Sequence, residues 1–259
     1  MDLGIRNRVA MVAAGSKGIG RAAAKLLADE GCLVSICGRN EESLGEACLA
    51  IGGTVRGYRA DVSIATDLER WISATTSELG PPDILITNTG GPPAGPFTQV
   101  TDEQWQAGVD STLMNVVRLV RLVGPGMEER GWGRMVHITS LVAKEPNAML
   151  PISSALRSGL MALTRLQAAH FAPFGVTVNG VLPGHTKTDR QTHLASITAE
   201  KLNISVDEAL ARRAEEVPMR RLAEASEIAA AIAFLCSEPA GYITGVNLLV
   251  DGGITRGLA

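Results

Sequence analysis

Seven short apolar runs recur along this chain, each separated from the next by a segment of helical composition. They are Arg8–Ala14, Leu33–Cys37, 54–58, Asp83–Thr87, Gly133–Thr139, Val176–Val181 and Val246–Val250. Helices are expected between them near 21–30, 41–50, 64–78, 102–129, 152–172 and 224–237. The runs mostly lack the polar-out alternation of a half-exposed strand, so both faces of the sheet they form must be covered. Strands alternating with helices in this way satisfy that need as a parallel sheet with helices on both sides. The expected fold class is therefore α/β, a doubly wound parallel sheet of about seven strands. No Pro/Ser-rich linker or internal repeat divides the 259 residues, so 1–259 reads as a single domain.

Two stretches break the rhythm. Residues 88–101, rich in Gly and Pro, and residues 184–222 both follow strand ends, where open α/β sheets place their ligands. The second is long and charged, which suits a lid of short helices over that crevice.

Between the first strand and the first helix lies Gly15-Ser16-Lys17-Gly18-Ile19-Gly20. Glycine serves two needs there: a tight turn, and the approach of a diphosphate to the N–H groups of a helix N-terminus with no Cβ in the way. In a strand-turn-helix context this predicts dinucleotide binding. An NAD site offers a carboxylate to the ribose 2′-hydroxyl about twenty residues further on. Here the second strand ends in Cys37-Gly38-Arg39, with no carboxylate before Glu41. Arg39 can instead pair with a 2′-phosphate, and Lys17 adds a second positive charge, so the expected cofactor is NADP rather than NAD.

Composition narrows the partners. With 46% hydrophobic and 20% charged residues and a net charge of −3, the chain has a sizeable core and no basic block, which argues against disorder and against nucleic acid. No apolar window reaches the length of a membrane span or a signal-peptide core, so neither membrane nor secretion is expected and the expected location is cytoplasmic. The four cysteines, Cys32, Cys37, Cys48 and Cys236, form no C-x-x-C pair and read as buried thiols; no metal is expected. Aromatics amount to only 3%, with two tyrosines, Tyr58 and Tyr242.

Landmarks in order along nearly the whole chain resemble the short-chain dehydrogenase/reductase family. They are the glycine turn, Asp61-Val62 after the third strand, Asn88-Thr-Gly90 after the fourth, Ile138-Thr-Ser140 after the fifth, Pro183-Gly184 after the sixth, and Tyr242-Ile-Thr-Gly245 leading to Asp251-Gly-Gly253. Ala14 stands where the family's first glycine commonly sits. The resemblance implies a Rossmann-type oxidoreductase, usually tetrameric, that moves a hydride between a nicotinamide and a small carbonyl or alcohol substrate. It implies adenine contacts at Asp61 and Val62, sheet-centre cofactor contacts at Asn88 and Gly90, and nicotinamide contacts at Pro183, Gly184 and Thr188. Ser140 takes the place of the family's catalytic serine. A homo-oligomer, tetramer or dimer, is expected, with the apolar C-terminal end at Leu258 and Ala259 fitting a subunit contact.

The remaining active-site positions depart from the family. Its tyrosine and the lysine four residues later, neighbours on one helix face, are here Ser153 and Arg157; its asparagine maps to Thr112, with Asn115 nearly one turn further on. A tyrosine lowered by a nearby lysine can act as acid or base near neutral pH, whereas an aliphatic serine is a far weaker acid. Arginine keeps the charge and can bond ribose hydroxyls but does not readily pass a proton on. His185, directly after Pro183-Gly184, is one replacement acid. A water held by Ser140 and Ser153, with Arg157 stabilising the developing alkoxide, is another. His137 reads as a packing residue, while His170 and His193 have no motif support.

Two functions remain open on sequence alone. One is NADPH-dependent reduction of a carbonyl, or the reverse oxidation, on a small or acyl-type substrate, with an apolar wall from Met149, Leu150 and Leu194–Ile197. The other is a non-catalytic NADP(H)-binding sensor or structural subunit. Arg118, Arg121, Arg130 and Arg134 read either as a basic face or as ordinary solvated and contact residues.

Overall fold

A computed structural model describes residues 2–257. The C-terminal Leu258 and Ala259 lie outside the described residues. Strands β1 (Val9–Val12), β2 (Leu33–Gly38), β3 (Val55–Arg59), β4 (Ile84–Thr87), β5 (Gly133–Ile138), β6 (Val176–Pro183) and β7 (Asn247–Val250) form one sheet in the order β3-β2-β1-β4-β5-β6-β7. Every pairing is parallel. The chain reverses its direction of growth between β1 and β4, and the crevice at the carboxyl ends of these strands is where such a sheet receives ligands.

Helices α1 (Gly18–Asp29), α2 (Glu41–Ile51) and α3 (Ala65–Glu78) follow the first three strands. The period of two within each strand splits the core into two layers even though the runs are apolar throughout. Ala10, Val12, Ile84, Ile86, Val136 and Ile138 point to one face, with Ala23, Ala24 and Leu27 of α1 and with Ile228, Ile232 and Ala233. Met11, Leu85, Met135 and Val178 point to the other, with Trp71 of α3 and with Val116, Leu119, Val120, Leu160 and Phe171. Small residues let the helices approach closely, which is how the fold manages with few aromatics. Truncating a fully buried member such as Leu85 to alanine would cost about 2–5 kcal/mol.

The long helix expected over 102–129 is interrupted. Helix α4 (Asp102–Gly108) passes through a π-helical turn, Val109–Met114, before α5 (Asn115–Arg130). The sequence pattern misses it because a π turn inserts residues without breaking apolar spacing on either side. Gly108 marks the junction, where an added Cβ would lie 2.4 Å from Ile152 Cγ2. Ile152 lies in the first turn of α6 (Pro151–Phe171), which therefore lies hard against the π turn.

The 184–222 segment folds as two short helices, α7 (Asp189–Leu202) and α8 (Val206–Glu216), capped by the hydroxyls of Thr188 and Ser205. They pack through a small cluster of Ala195, Ala199 and Ala209. Helix α9 (Ala225–Leu235) then returns the chain to the sheet. Cys32, Cys37 and Cys236 are buried thiols as expected, and Cys48 is only partly covered. No helix among the described residues is long and apolar enough to cross a membrane.

Candidate active site

One cavity of about 1490 Å³ runs along the carboxyl ends of the strands, large enough for a dinucleotide and a small substrate together. Of the residues singled out in the sequence, Ser16, Lys17, Gly18, Ile19, Arg39, Asp61, Val62, Asn88, Gly90, Ser140, Ser153, Arg157, Pro183, Gly184, His185 and Thr188 all line it. Gly15, in the turn, and Gly20, in the first turn of α1, do not line it.

Their glycine identity follows from space. A Cβ on Gly15 would meet Ile36 at 2.8 Å, and one on Gly20 would meet the Ala14 carbonyl at 2.6 Å and Asn88 Nδ2 at 2.8 Å. Asn88 Nδ2 donates to that same Ala14 carbonyl at 3.3 Å, tying the turn to the end of β4. Gly18 has φ +53°, and Ala14 has φ +46°. Ala14 therefore occupies the left-handed region with a side chain that disfavours it. The cradle thus leaves the N–H groups at the start of α1 open to an anion, the arrangement a diphosphate requires.

At the end of β2, Arg39 is exposed and lines the cavity beside Ser16 and Gly38. Lys17 also lines the cavity, and its Nζ lies 3.8 Å from Asp189 Oδ2 at the start of α7. Of the two cations, only Lys17 has a carboxylate within ion-pair distance among the described residues. Asp61 accepts from the N–H and hydroxyl of Ser63 at 2.9 and 2.7 Å.

At the opposite end, Arg157 on α6 is buried, 7% exposed. Its Nη1 donates to the carbonyls of Ile138 and Thr139 at 3.0 and 2.6 Å, and its Nε donates to Ser153 Oγ at 3.1 Å. Residues i and i+4 on one helix make that last bond possible. Burial, and then the charge of Arg190, push Arg157 down to about 10, so it remains a cation at neutral pH. Because Ser153 Oγ accepts from the guanidinium, its own proton is free to point into the cavity. Ser140 Oγ accepts only a long bond, 3.4 Å, from Val142 N, and its proton is likewise free.

His185 Nε2 lies 3.6 Å from Glu216 Oε2 on α8. Burial, and next Arg213, lower its pKa from the ordinary value, while Glu216 opposes them. The ring is therefore mainly neutral at pH 7. Thr112 and Asn115 are buried and do not line the cavity, and Thr112 Oγ1 and Asn115 Oδ1 have no partner among the described residues. His137 is a packing residue, bonded to Thr87 Oγ1 and Gln167 Oε1 at 2.9 and 2.8 Å and pushed down to about 4 by burial. Neither tyrosine reaches the cavity: Tyr58 sits on β3 and Tyr242 is fully exposed at 103%.

Met149, Leu150, Leu194 and Ile197 do form an apolar wall. Arg118, Arg130 and Arg134 do not make a basic face, since each donates to internal acceptors, among them Ser63 O, Pro82 O and Ser237 O. Sequence reading missed Arg190 and Glu216, which line the cavity from the lid. Only the charged character of 184–222 hinted at them.

A family model described as "Enoyl-(Acyl carrier protein) reductase" matches residues 13–255. An acetoacetyl-CoA reductase of Allochromatium vinosum is 34% identical over 252 residues, covering 95% of this chain and 98% of its own. L-sorbose reductase of Gluconobacter frateurii, solved with NADPH and L-sorbose, superposes with a TM-score of 0.94 at 31% identity over the whole of both chains. A short-chain oxidoreductase of Pseudomonas aeruginosa, described as containing an atypical catalytic center, superposes with a TM-score of 0.89 at 32% identity, covering 98% of this chain and 100% of its own.

Proposed function

Because this chain belongs to the short-chain dehydrogenase/reductase family, we propose that it is an NADP(H)-dependent carbonyl reductase whose site works without tyrosine. The observation that carries the reading is the Arg157 to Ser153 bond, which places a fixed cation behind a hydroxyl facing the same cavity as Ser140 and Pro183-Gly184.

When bound, the nicotinamide supplies or accepts the hydride. The glycine turn and the start of α1 would hold its diphosphate, Arg39 with Lys17 the 2′-phosphate, Asp61 and Val62 the adenine side, Asn88 and Gly90 the middle of the cofactor at the sheet centre, and Pro183, Gly184 and Thr188 the nicotinamide side. Ser140 and Ser153 donate to the substrate oxygen. Charge grows on that oxygen as the carbonyl is reduced, and Arg157, which cannot release its own proton at neutral pH, stabilises it through Ser153 Oγ. The proton comes from water held between the two serines, or from His185.

Titration with NADPH and NADH, followed by turnover of β-ketoacyl thioesters, diketones and aldehydes, tests the reading. Tighter NADPH binding with oxidation by at least one carbonyl is expected. Firm binding with no turnover of any of them would favour a non-catalytic cofactor-binding protein. The pH dependence separates the two proton routes: a profile flat from pH 7 to 9 and at lower pH assigns the proton to serine-held water. Activity that climbs only on the acid side of the ordinary histidine range, because burial holds the His185 pKa down, assigns it to His185.

A homo-oligomer also fits. Tyr242, Val246 and Leu248 near the β7 edge, and Leu122, Leu166 and Phe174 on and after α5 and α6, are exposed apolar side chains that subunit contacts would cover. Light scattering after size exclusion should give a dimer or tetramer mass; a clean monomer would refute it.

A further inference from the structure

The cavity's charges are unevenly compensated. Each carboxylate that lines it has another partner: Asp61 holds Ser63, Asp110 holds Arg118, Glu145 accepts from Arg256 N, Asp189 faces Lys17, and Glu216 faces His185. Of the cations that line it, Arg39, Arg157, Arg190, Lys201 and Arg213 have no carboxylate within ion-pair distance among the described residues. Arg39 and Lys201 are exposed and Arg213 is bonded to Leu194 O and Thr198 Oγ1, which leaves Arg157 and Arg190 as the covered ones with spare donors. Arg190, at the start of α7, donates from Nη2 to the Pro92 carbonyl at 2.6 Å, and its guanidinium sits over Gly91 in the loop after β4. Its Nε and Nη1, and Nη2 of Arg157, have no acceptor among the described residues. Burial pushes Arg190 down as well, and its charge reaches Arg157. Two desolvated like charges facing one cavity are unfavourable unless an anion joins them, and guanidinium groups with free N–H donors suit a carboxylate.

Building on the reductase reading, we infer that the substrate carries its own anionic group, a carboxylate close to the reactive carbonyl, held by Arg190 while Ser140, Ser153 and Arg157 face the carbonyl oxygen. 2-oxo and 3-oxo acids are the simplest substrates that carry a carboxylate beside a carbonyl. The bonding is ionic, and the reduction itself remains one hydride to carbon and one proton to oxygen. The apolar wall of Met149, Leu150, Leu194 and Ile197 takes the remainder of the acid.

The donors of Arg190 could instead serve the cofactor's diphosphate, so the test separates the two. Wild type and Arg190→Met are compared on 2-oxo and 3-oxo acids of roughly four to ten carbons, each beside its methyl ester, which keeps the carbonyl and removes the charge. For wild type with saturating NADPH we expect kcat/KM to favour at least one acid over its ester by at least about tenfold. In Arg190→Met that ratio collapses to near one, through KM, while the Kd for NADPH stays within about twofold.

A melting-temperature series on the NADP⁺ complex gives a readout free of turnover: the preferred acid should raise the Tm of wild type and not of Arg190→Met, and its ester should raise neither. Esters reduced as well as or better than every acid would overturn the inference and leave the reductase reading standing. So would an Arg190→Met protein whose NADPH affinity falls in step with its acid affinity, which would assign Arg190 to the diphosphate. If no carbonyl is reduced, the reductase reading falls, and the acid-specific Tm shift alone decides whether the cavity binds carboxylates.

Discussion

At the β1–α1 turn the cavity wall is backbone, and at the β5–α6 end it is side chain. The turn works by what is missing: Gly15 and Gly20 have no room for a Cβ, and the helix N–H groups are open. The other end works by what is added, a buried guanidinium holding two carbonyls and a hydroxyl. The difference teaches why one end follows the family pattern closely and the other does not. A tight turn admits few residue types whatever the reaction. A side-chain site accepts any group that keeps charge and hydrogen bonds satisfied, so Ser153 and Arg157 can replace tyrosine and lysine without collapsing the fold.

The comparison breaks most directly at Arg157. Arg157→Met strands Ser153 Oγ and the carbonyls of Ile138 and Thr139, at about 1–3 kcal/mol for each buried unsatisfied group. We expect stability to drop by about 3 kcal/mol or more in denaturant titration and kcat/KM to fall at least roughly 100-fold. Full activity in the folded variant would remove Arg157 from the mechanism.

His137 lies on β5 beside those carbonyls and gives the β5–α6 end an acid sensitivity. Its folded pKa of about 4 is below the unfolded value of 6.5, so the stability it brings is complete above pH 6.5 and is lost as pH falls through 4. The loss approaches about 3 kcal/mol. Comparing unfolding free energies at pH 7 and pH 4 should show His137→Asn with the shallower decline; equal slopes would show that other groups carry it.

Arg39 sharpens the contrast at the turn. Arg39→Ala should weaken NADPH by about 10- to 100-fold, the range for a charge-assisted hydrogen bond, and leave NADH within about twofold. Parallel losses for both would mean that Arg39 does not read the 2′-phosphate. The smallest effect belongs to Ala14. Since φ is +46° there, Ala14→Gly should raise stability by about 1 kcal/mol, the left-handed strain less the extra freedom of the unfolded chain. A lower Tm would show that the methyl group's packing outweighs the strain.

Much of the fold was legible because apolar periodicity and glycine placement are local properties. Each strand was found within a residue or two at either end, and the lid helices followed. The π turn at Val109–Met114 was not legible, since its cause lies partly in the contact between Gly108 and Ile152, 44 residues apart in the chain. For the site, the absence of tyrosine could be read outright and holds in three dimensions: Tyr58 and Tyr242 lie away from the cavity.

What the sequence determined by itself was the parallel sheet, the glycine turn ahead of α1 and the presence of Ser153 and Arg157 where the family has tyrosine and lysine, because these depend on residue type and spacing. Only the tertiary structure decided which way the charges face. It turned Lys17 to Asp189, set His185 against Glu216 and brought Arg190 within electrostatic reach of Arg157. Charge pairing depends on distance and burial between elements far apart in the chain, and no local pattern encodes either.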